Sequence, residues 1–403
     1  MKERLWTKSF IMLMVGNLFV FMSFQMLLPT LPPYIKSIGA SGLEIGLVTA
    51  LFSIGAIISR PFIGFMLEYK PRKALVLTGA IMLSLVTILY PVSQVVVIFL
   101  LFRFFHGLVW GWSTTVNGTA AVDVIPNSRL GEGMGYFGLS MTIAFIIAPS
   151  VGIFVYKITS FTNLIYISAI LGFISIILLT AVRYQTPKEV INTRKEDLKF
   201  SYLGSSVEKS SWFPAFITII INLGYGSVVT FIVIFGEERG IEQIFLFYVF
   251  NALMATLGRP IAGRWFDEKG PIGLVMFCTS ATFLGMWVLS FAHSSLFIAI
   301  SGALFGLGFG CLIPTLQSWA LVMTPSHRRG VANGMIFSSI DLGIGLSGLI
   351  FGVLAQFVET ASIFRIASLF LLAAMAFVII MERKKRAALH EDVVAKEKVR
   401  TSY

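Results

Sequence analysis

Apolar runs of about 20 residues recur along the whole chain, separated by short polar or Gly/Pro-rich breaks. A membrane-spanning helix needs about 20 mostly apolar residues, so each run predicts one span. The first six predicted spans are 8–35, 42–67, 74–91, 95–122, 132–157 and 162–182, and the second six are 212–235, 243–266, 271–292, 295–323, 330–356 and 360–381. The pattern predicts an all-α polytopic membrane protein with twelve transmembrane helices in two six-helix bundles.

The first run is typical of a mature helix rather than of a cleaved signal. It is longer than the roughly 7–15 apolar residues of a signal-peptide core, and it lacks a small-residue cleavage site. It also carries Pro29, Pro32 and Pro33 at its far end.

A polar segment separates the two sets of spans, because residues 183–211 are rich in Lys, Arg and Glu and poor in apolar side chains. We expect an N-terminal six-helix bundle over residues 1–182 and a solvated cytoplasmic linker over 183–211. We expect a C-terminal bundle over 212–382 and a charged cytoplasmic tail over 383–403.

The composition excludes a water-soluble globular protein. Of the 403 residues, 56% are hydrophobic and 13% are charged, and the mean hydropathy is +0.86, which is far above that of soluble chains. The net charge of +11 could suggest nucleic-acid binding. The basic residues lie in short loops, however, where they set topology and contact anionic lipid head groups. We therefore expect membrane lipid, and no nucleic acid, among the partners.

The distribution of Lys and Arg also predicts the orientation. If the amino terminus is cytoplasmic, all but five of the 31 basic residues lie on the inner side or at its helix ends, the exceptions being Lys36, Lys157, Arg239, Arg365 and, within a span, Arg103. Since cytoplasmic loops carry the excess of basic residues, we expect both termini in the cytoplasm.

Residues for cofactor or metal chemistry are sparse. Cys278 and Cys311 both fall inside apolar runs, and the four His are scattered along the chain, so neither a disulfide framework nor a metal site is predicted. No nucleotide-binding motif with a P-loop Lys occurs. We expect no cofactor, no enzymatic site, and an ion gradient as the energy source.

The two halves repeat each other at a constant offset of 199 residues. Arg60, Pro61, Gly64 and Glu68 match Arg259, Pro260, Gly263 and Asp267, and further matches pair Gly107, Gly111, Pro126, Gly131 and Gly135 with Gly306, Gly310, Pro325, Gly330 and Gly334. Parallel repeats of this kind predict a pseudo-two-fold axis along the membrane normal and a site between the halves near the midplane.

The chain resembles the major facilitator superfamily over essentially its whole length. The loop from Gly64 to Lys73, GFMLEYKPRK, is similar to that family's signature, with Glu68 in place of Asp and Pro71 in place of Gly. The sequence Arg103-Phe-Phe-His106-Gly is similar to the family's Arg-x-x-Gln-Gly. A helix-bend motif with Ala148, Pro149 and Gly152 is a weakened form of the pattern associated with antiporters. Together these resemble the drug:proton antiporter-1 branch, which includes Gram-positive multidrug and metallophore exporters, and the resemblance implies a bacterial plasma-membrane location.

Charged residues inside apolar spans are candidates for mechanism, because an ionised group at membrane depth requires a cavity or a partner. Arg103 shares a helix face with His106, Trp110, Thr114 and Asn117, and we expect this stripe to face the central cavity. Asp341 lies midway along the eleventh span, beside Gly345, Gly348 and Gly352. A buried carboxyl group can bind and release a proton, so Asp341, Arg103 and His106 are the proton-coupling candidates. The alternative for each is a hydrogen-bonding role in helix packing.

The matched spacing in the two halves predicts a gate on the cytoplasmic side. Its candidate residues are Arg60, Gly64, Glu68, Arg72, Lys73, Arg259, Gly263 and Asp267. The alternative is that these are topogenic charges in solvated loops.

Polar side chains in otherwise apolar spans are candidates for contacts with substrate, or for helix-to-helix hydrogen bonds. They are Asn17, Gln25, Trp110, Asn117, Asn222, Tyr225, Asn251, Gln317 and Asn333.

We expect a secondary transporter that exports a small organic molecule (a drug, metallophore or metabolite) in exchange for protons. Its two bundles would expose one site alternately to each side, and a single chain would hold the complete pathway. A proton-coupled importer of a nutrient such as a sugar is the alternative, since fold alone does not set direction. A membrane sensor or enzyme is disfavoured because the chain consists almost entirely of spans and short loops.

Overall fold

The computed structural model describes residues 4–126, 129–184, 199–325 and 329–401, and the regular elements among them are helices. The N-terminal half contains α1 (Lys8–Gln25), α2 (Leu31–Ser37), α3 (Gly42–Leu67), α4 (Arg72–Ile88), α5 (Val96–Val124), α6 (Leu130–Ile158) and α7 (Phe161–Thr180). The short α8 (Tyr202–Ser206) follows, and the C-terminal half contains α9 (Trp212–Glu238), α10 (Leu246–Lys269), α11 (Pro271–Ser290), α12 (Ser295–Met323), α13 (Arg329–Leu354) and α14 (Thr360–Thr401).

The twelve long helices correspond to the twelve predicted spans, with one correction in the first. The prediction of one continuous helix over 8–35 is wrong, because α1 ends at Gln25 and α2 begins at Leu31. Pro29, Pro32 and Pro33 cause this break. Proline lacks an N–H group and disfavours helical geometry in the residue before it.

Eleven helices in the described part of the chain are long and apolar enough to cross a membrane. The remaining long helix is α10, whose second half carries charged side chains, namely Arg259, Arg264, Asp267, Glu268 and Lys269. Its length of 24 residues and its packing place it among the other long helices.

Each half uses the same pairs of packed helices. In the N-terminal half α1 packs against α6 and α7, α3 against α5, and α4 against α5 and α7. In the C-terminal half α9 packs against α13 and α14, α10 against α12, and α11 against α12 and α14. If the six long helices of each half are numbered in chain order, the first packs against the fifth and sixth in both halves. The second packs against the fourth, and the third packs against the fourth and sixth. This agreement accords with the internal repeat in the sequence.

Contacts between the halves also follow the repeat. The second long helix of each half meets the fifth of the other, so α3 packs against α13 and α10 packs against α6. The short α2 adds a contact with α9. We name the side that carries the start of α1 the amino-terminal face, and the side that carries α2 the opposite face.

The described end of the segment predicted as a solvated linker is docked on the protein. Residues 185–198 lie outside the described part, but α8 contacts both α3 and α13, and Glu208 is buried. The Glu208 carboxylate accepts hydrogen bonds from the Ser210 amide and hydroxyl at 3.1 and 2.8 Å. The described end of the predicted linker therefore contacts both halves, while most of its side chains, including Phe200 and Tyr202, are exposed. At the other end, α14 continues to Thr401 through most of the predicted charged tail.

Candidate functional site

A buried ion pair joins the two halves of the protein. Arg60 of α3 donates to Asp341 Oδ2 of α13 through Nη2 at 2.6 Å and through Nε at 3.2 Å. The two side chains are 9% and 11% exposed. Arg60 Nη1 also donates to the hydroxyl of Thr114 on α5 at 3.2 Å, and the guanidinium lies 5.7 Å from the centre of the Phe337 ring.

Each buried charge of the Arg60–Asp341 pair depends on the other for its stabilisation. Burial of two charges is costly, and their attraction offsets this cost only with good geometry and additional hydrogen bonds. Both conditions are met here, because one carboxylate oxygen receives two N–H groups and Thr114 accepts a third. A proton on Asp341 would neutralise the carboxylate and weaken its hold on Arg60, whereas Arg60 keeps its charge. The pair can therefore link proton binding to the contact between the halves.

Close backbone packing surrounds this pair on the side of the opposite face. A Cβ atom added at Gly46 of α3 would collide with the Gly348 carbonyl of α13, and one at Gly352 would lie 2.8 Å from the Gly46 Cα. Thr230 of α9 donates to the Thr49 hydroxyl at 3.4 Å. Small residues allow this approach, which brings the N-terminal half of α3 together with the C-terminal halves of α9 and α13.

Charged contacts extend the closure at the opposite face. Lys36 lies 3.6 Å from Glu238, and Lys157 Nζ donates to the Glu242 carbonyl at 2.5 Å. In both contacts the N-terminal half supplies a lysine and the C-terminal half supplies the acceptor.

Glycines toward the amino-terminal face lie in open space instead. Among the described residues, no heavy atom lies within 4 Å of a Cβ atom added at Gly64, Gly118, Gly138, Gly263 or Gly334. These glycines lie on α3, α5, α6, α10 and α13, including the helices that meet tightly at the opposite face. For α3 and α13, the contrast between their two ends indicates closer packing at the opposite face than at the amino-terminal face.

Arg103 is fully buried within the N-terminal half. Its Nε donates to the Val48 carbonyl of α3 at 2.8 Å, and its Nη1 donates to the Tyr90 hydroxyl at 3.4 Å. The guanidinium lies 4.4 Å from the centre of the Phe52 ring. These contacts tie α5 to α3 and to the turn after α4, rather than to the interface between the halves.

Two other residues of the predicted stripe, Thr114 and Asn117, bond to groups other than Arg103. Thr114 accepts from Arg60, and Asn117 Nδ2 donates to Asn17 Oδ1 at 3.2 Å. The physical reason is axial distance. Arg103 precedes Thr114 by eleven residues of helix, or about 16 Å at 1.5 Å per residue.

His106 and Trp110 are buried beside Arg103. His106 Nδ1 lies 2.8 Å from the Tyr90 hydroxyl, and Nε2 has no hydrogen-bond partner among the described residues. Trp110 stacks on Phe24 of α1 with ring centres 4.0 Å apart. Both contacts lie inside the N-terminal half, where the stripe on α5 meets α1 and α3.

Most of the other polar candidates bond to neighbouring helices or to their own helix. Asn17 Nδ2 donates to Ser140 Oγ at 3.1 Å, which joins α1 to α6. Gln317 Nε2 donates to Asn333 Oδ1 at 2.6 Å, which joins α12 to α13. Asn222 Nδ2 donates to the Thr218 carbonyl of its own helix at 2.8 Å.

The three remaining polar candidates are Tyr225, Gln25 and Asn251. Tyr225 stacks on Phe309 with ring centres 4.0 Å apart. Gln25 is buried at the end of α1, and Asn251 is half-buried on α10. A role for any of these polar residues in substrate contact stays a prediction.

The loop after α3 forms a different ion pair from the one predicted for the gate. Arg72 Nε bonds Asp123 Oδ2 of α5 at 2.5 Å, and Arg72 Nη1 donates to the Leu67 carbonyl. Glu68 and Lys73 are exposed, and within the described ranges Glu68 makes no ion pair within 4.0 Å. Asp123 was not singled out from the sequence, although a lone acid near the end of an apolar helix was a usable signal.

The repeat mates in the C-terminal half have contacts of their own. Arg259 Nε donates to the Gly310 carbonyl at 3.2 Å, a group that Pro314 leaves without its usual helical partner. Asp267 is exposed at the end of α10. Arg60 is paired with Asp341, and a gating role for Arg60 and Arg259 stays a prediction.

The helix-bend motif brings α6 close to the break after α1. Pro149 lies inside α6, Ala148 is buried, and a Cβ atom at Gly152 would collide with the Met26 carbonyl. Gly152 is thus required by the close approach of two backbones.

Metal-ligating groups do not cluster in the described ranges. No three His, Cys, Asp or Glu side chains lie close enough there to hold an ion. Cys278 and Cys311 are free and buried.

Comparisons with known proteins agree with this architecture. The sequence model of the Major Facilitator Superfamily matches residues 13–339 and 271–402. An uncharacterised transporter of that type from Methanocaldococcus jannaschii is 27% identical over 349 residues, which cover 85% of this chain and 90% of the relative. The quinolone resistance protein NorA of Staphylococcus aureus is 23% identical over 394 residues, which cover 93% and 97%.

Solved structures show the same fold. The nucleoside transporter NupG superposes with a TM-score of 0.72 at 14% identity over 93% of this chain and 99% of its own. The human organic anion transporter MFSD10 superposes with a TM-score of 0.68 at 13% identity over 92% and 99%. At these identities the likeness shows the fold alone. Because the family model spans nearly the whole chain and the helices have the arrangement of solved members, the protein is a multi-pass membrane transporter that belongs to the major facilitator superfamily.

Proposed function

We propose that the protein exports small organic molecules in exchange for protons. The observation that carries this proposal is the buried Arg60–Asp341 pair, since it lies on the two helices through which the halves meet. It combines a carboxyl group that can bind a proton with a cation that cannot lose one.

The proposed cycle starts from the conformation described above. Asp341 is charged and paired with Arg60, the opposite face is closed, and the amino-terminal face accepts substrate. After the halves rock and substrate leaves at the opposite face, Asp341 binds a proton there. Release of that proton at the amino-terminal face restores the pair. Each half moves as a rigid body, the N-terminal half over residues 1–182 and the C-terminal half over residues 212–382. A single chain holds the complete transport pathway.

The excess of Lys and Arg on the amino-terminal face indicates that this face is cytoplasmic. Two features support export over import. NorA, by its name a quinolone resistance protein, matches along 93% of this chain. The sequence around Ala148, Pro149 and Gly152 resembles, in a weakened form, the motif associated with antiporters. We accordingly place the protein in the plasma membrane of a bacterial cell, with both termini inside. Import of a nutrient is the competing outcome.

Arg103 and His106 have a supporting role in this proposal. Arg103 links α5 to α3 through the Val48 carbonyl, and His106 links α5 to Tyr90 in the turn after α4. Their effect on the proton reaches Asp341 through the position of α3. Glu68, Lys73 and Asp267 act as surface charges of the cytoplasmic loops.

The test uses inverted membrane vesicles that contain the protein, a proton gradient (acid inside) and norfloxacin as the first probe. We expect accumulation that a protonophore abolishes and that a sodium ionophore leaves intact. Asp341→Asn should retain downhill exchange and lose accumulation, whereas Asp267→Asn, which alters an exposed carboxylate, serves as the matched control. If norfloxacin is not carried, comparison of metabolites inside cells with and without the gene supplies the probe.

Two results would contradict the proposal. Accumulation that survives the protonophore but not the sodium ionophore would assign coupling to sodium. Depletion, rather than accumulation, of an internal metabolite when the gene is deleted would assign import.

A further inference from the structure

The segment between the halves docks on α3 where a proline interrupts the helical hydrogen bonds. Pro61 has no N–H group, so the carbonyl four residues earlier, that of Ile57, receives no bond from it. The Tyr202 hydroxyl lies 3.5 Å from this carbonyl oxygen, which makes a weak contact, since O–H···O hydrogen bonds usually measure about 2.5–3.0 Å. An orphaned backbone acceptor of α3 thus has a weak donor contact in the segment between the halves.

Aromatic contacts hold the segment at the same place. The Phe200 ring stacks on Phe62, with ring centres 5.1 Å apart and planes 17° apart. Phe200 also meets the edge of Phe65 at 5.4 Å, and Tyr202 meets Phe62 at 6.4 Å. Offset-stacked and edge-to-face pairs are favourable geometries for aromatic rings. The docking therefore involves a backbone carbonyl before Pro61 and two aromatic side chains after it.

The other end of the segment is attached to the C-terminal half. The Ser210 hydroxyl oxygen lies 3.2 Å from the Thr324 hydroxyl oxygen, and the Glu208 amide donates to Met335 Sδ at 3.2 Å. We name residues 199–211 the strap. It joins α3, which carries Arg60, to the C-terminal half, in which α13 carries Asp341.

We propose that the strap fixes the turn of α3 that carries Arg60, and that Tyr202 is a positioning residue for the Arg60–Asp341 pair. Arg60 lies between Ile57 and Pro61, in the turn that lacks its helical bond. Such a turn bends more easily than an intact one. Tyr202 supplies a weak contact in place of the missing bond from outside the helix, which restricts where Arg60 points.

This inference depends on the proposed function only for its link to transport, so the first measurement does not use transport. Hydrogen exchange of the backbone amides in residues 57–67 is compared between the wild type and Tyr202→Phe in nanodiscs. Tyr202→Phe keeps the ring and removes the donor. We expect exchange there to rise about two- to fivefold, the change produced by losing one hydrogen bond. Tyr166→Phe, at an exposed tyrosine of α7, is the matched control, and Phe200→Ala should act in the same direction as Tyr202→Phe.

The second measurement is the pH profile of transport by the same variants. A looser Arg60 holds the Asp341 carboxylate less firmly, so the pH of half-maximal transport should rise by about half a unit, a threefold change in proton concentration. Transport at the optimum pH should persist. A purely structural loss would lower transport at every pH and leave the midpoint unchanged.

The outcomes separate the strap from the coupling mechanism. Raised exchange together with a shifted midpoint supports the inference. Exchange equal to that of Tyr166→Phe overturns it, and raised exchange with an unmoved midpoint overturns the link to Arg60. If wild-type transport ignores pH while exchange rises, the docking of the strap on α3 stands and proton coupling is refuted.

Discussion

Removing either member of the Arg60–Asp341 pair leaves an unpaired charge inside the protein. The stability of the two single variants should depend differently on pH. Asp341→Leu leaves a guanidinium that cannot lose its proton. Arg60→Met leaves a carboxylate, which a proton can neutralise. The double variant removes both charges and replaces them with apolar side chains of similar size.

The expected magnitudes follow from burial. The side chains are 9% and 11% exposed, and breaking a buried pair costs about 3–5 kcal/mol. Asp341→Leu should show this cost at every pH. In Arg60→Met the folded state takes up a proton more readily than the unfolded chain, so stability rises as pH falls, by up to about 1.4 kcal/mol per pH unit. The double variant should lie within about 1 kcal/mol of the wild type, because both the desolvation cost and the attraction disappear.

The assay is thermal unfolding of the purified variants in detergent between pH 5.5 and 8, together with vesicle transport. The matched control is Lys36→Met, which breaks an ion pair with Glu238 whose side chains are 41% exposed and which should change stability by less than about 1 kcal/mol. A double variant less stable than both single variants would refute the reasoning. Parallel pH curves for the two single variants would also refute it.

Three further predictions concern other contacts. Gly46→Leu should prevent closure at the opposite face and increase cysteine labelling there, whereas Gly118→Leu, in open space, should leave labelling unchanged; equal labelling would contradict the packing argument. Arg72→Ala and Asp123→Asn should each lower the unfolding temperature, because each reduces the free energy of unfolding by about 1–3 kcal/mol. The double variant should lose less free energy of unfolding than the sum of the two single losses. Additive losses would show that the two residues act independently. Arg103→Ala should reduce the amount of folded protein in the membrane, because Arg103 bridges two helices; normal abundance with lost transport would instead assign it to the transport site.

Sequence periodicity predicted the helices well because membrane burial imposes a length and a composition on each span. The second span was predicted over 42–67, and α3 has the same bounds. The first span failed at its prolines, since hydropathy does not register the loss of backbone donors. The docking of residues 199–211 was also missed, because polar composition does not show that Phe200 and Tyr202 face aromatic side chains of α3.

The sequence identified both residues of the central ion pair but assigned them to different groups. Asp341 and Arg60 were both singled out, but Asp341 was placed in a proton relay with Arg103, and Arg60 in a loop gate. Two opposite charges inside apolar helices need partners, and this rule could have paired them. The sequence does not say which cation meets the acid, because Arg60 and Asp341 are separated by most of the chain.

The sequence by itself determined the class of protein, the number of long helices and the two-fold repetition, because these depend on apolar length and on matched residues at fixed spacing. The tertiary structure alone decided which charges meet, that α3 and α13 touch backbone to backbone, and that Arg103 is enclosed within one half. Those features depend on the axial offset and rotation of packed helices. A shift of a single turn, about 5.4 Å, exchanges one set of partners for another and leaves the sequence pattern unchanged.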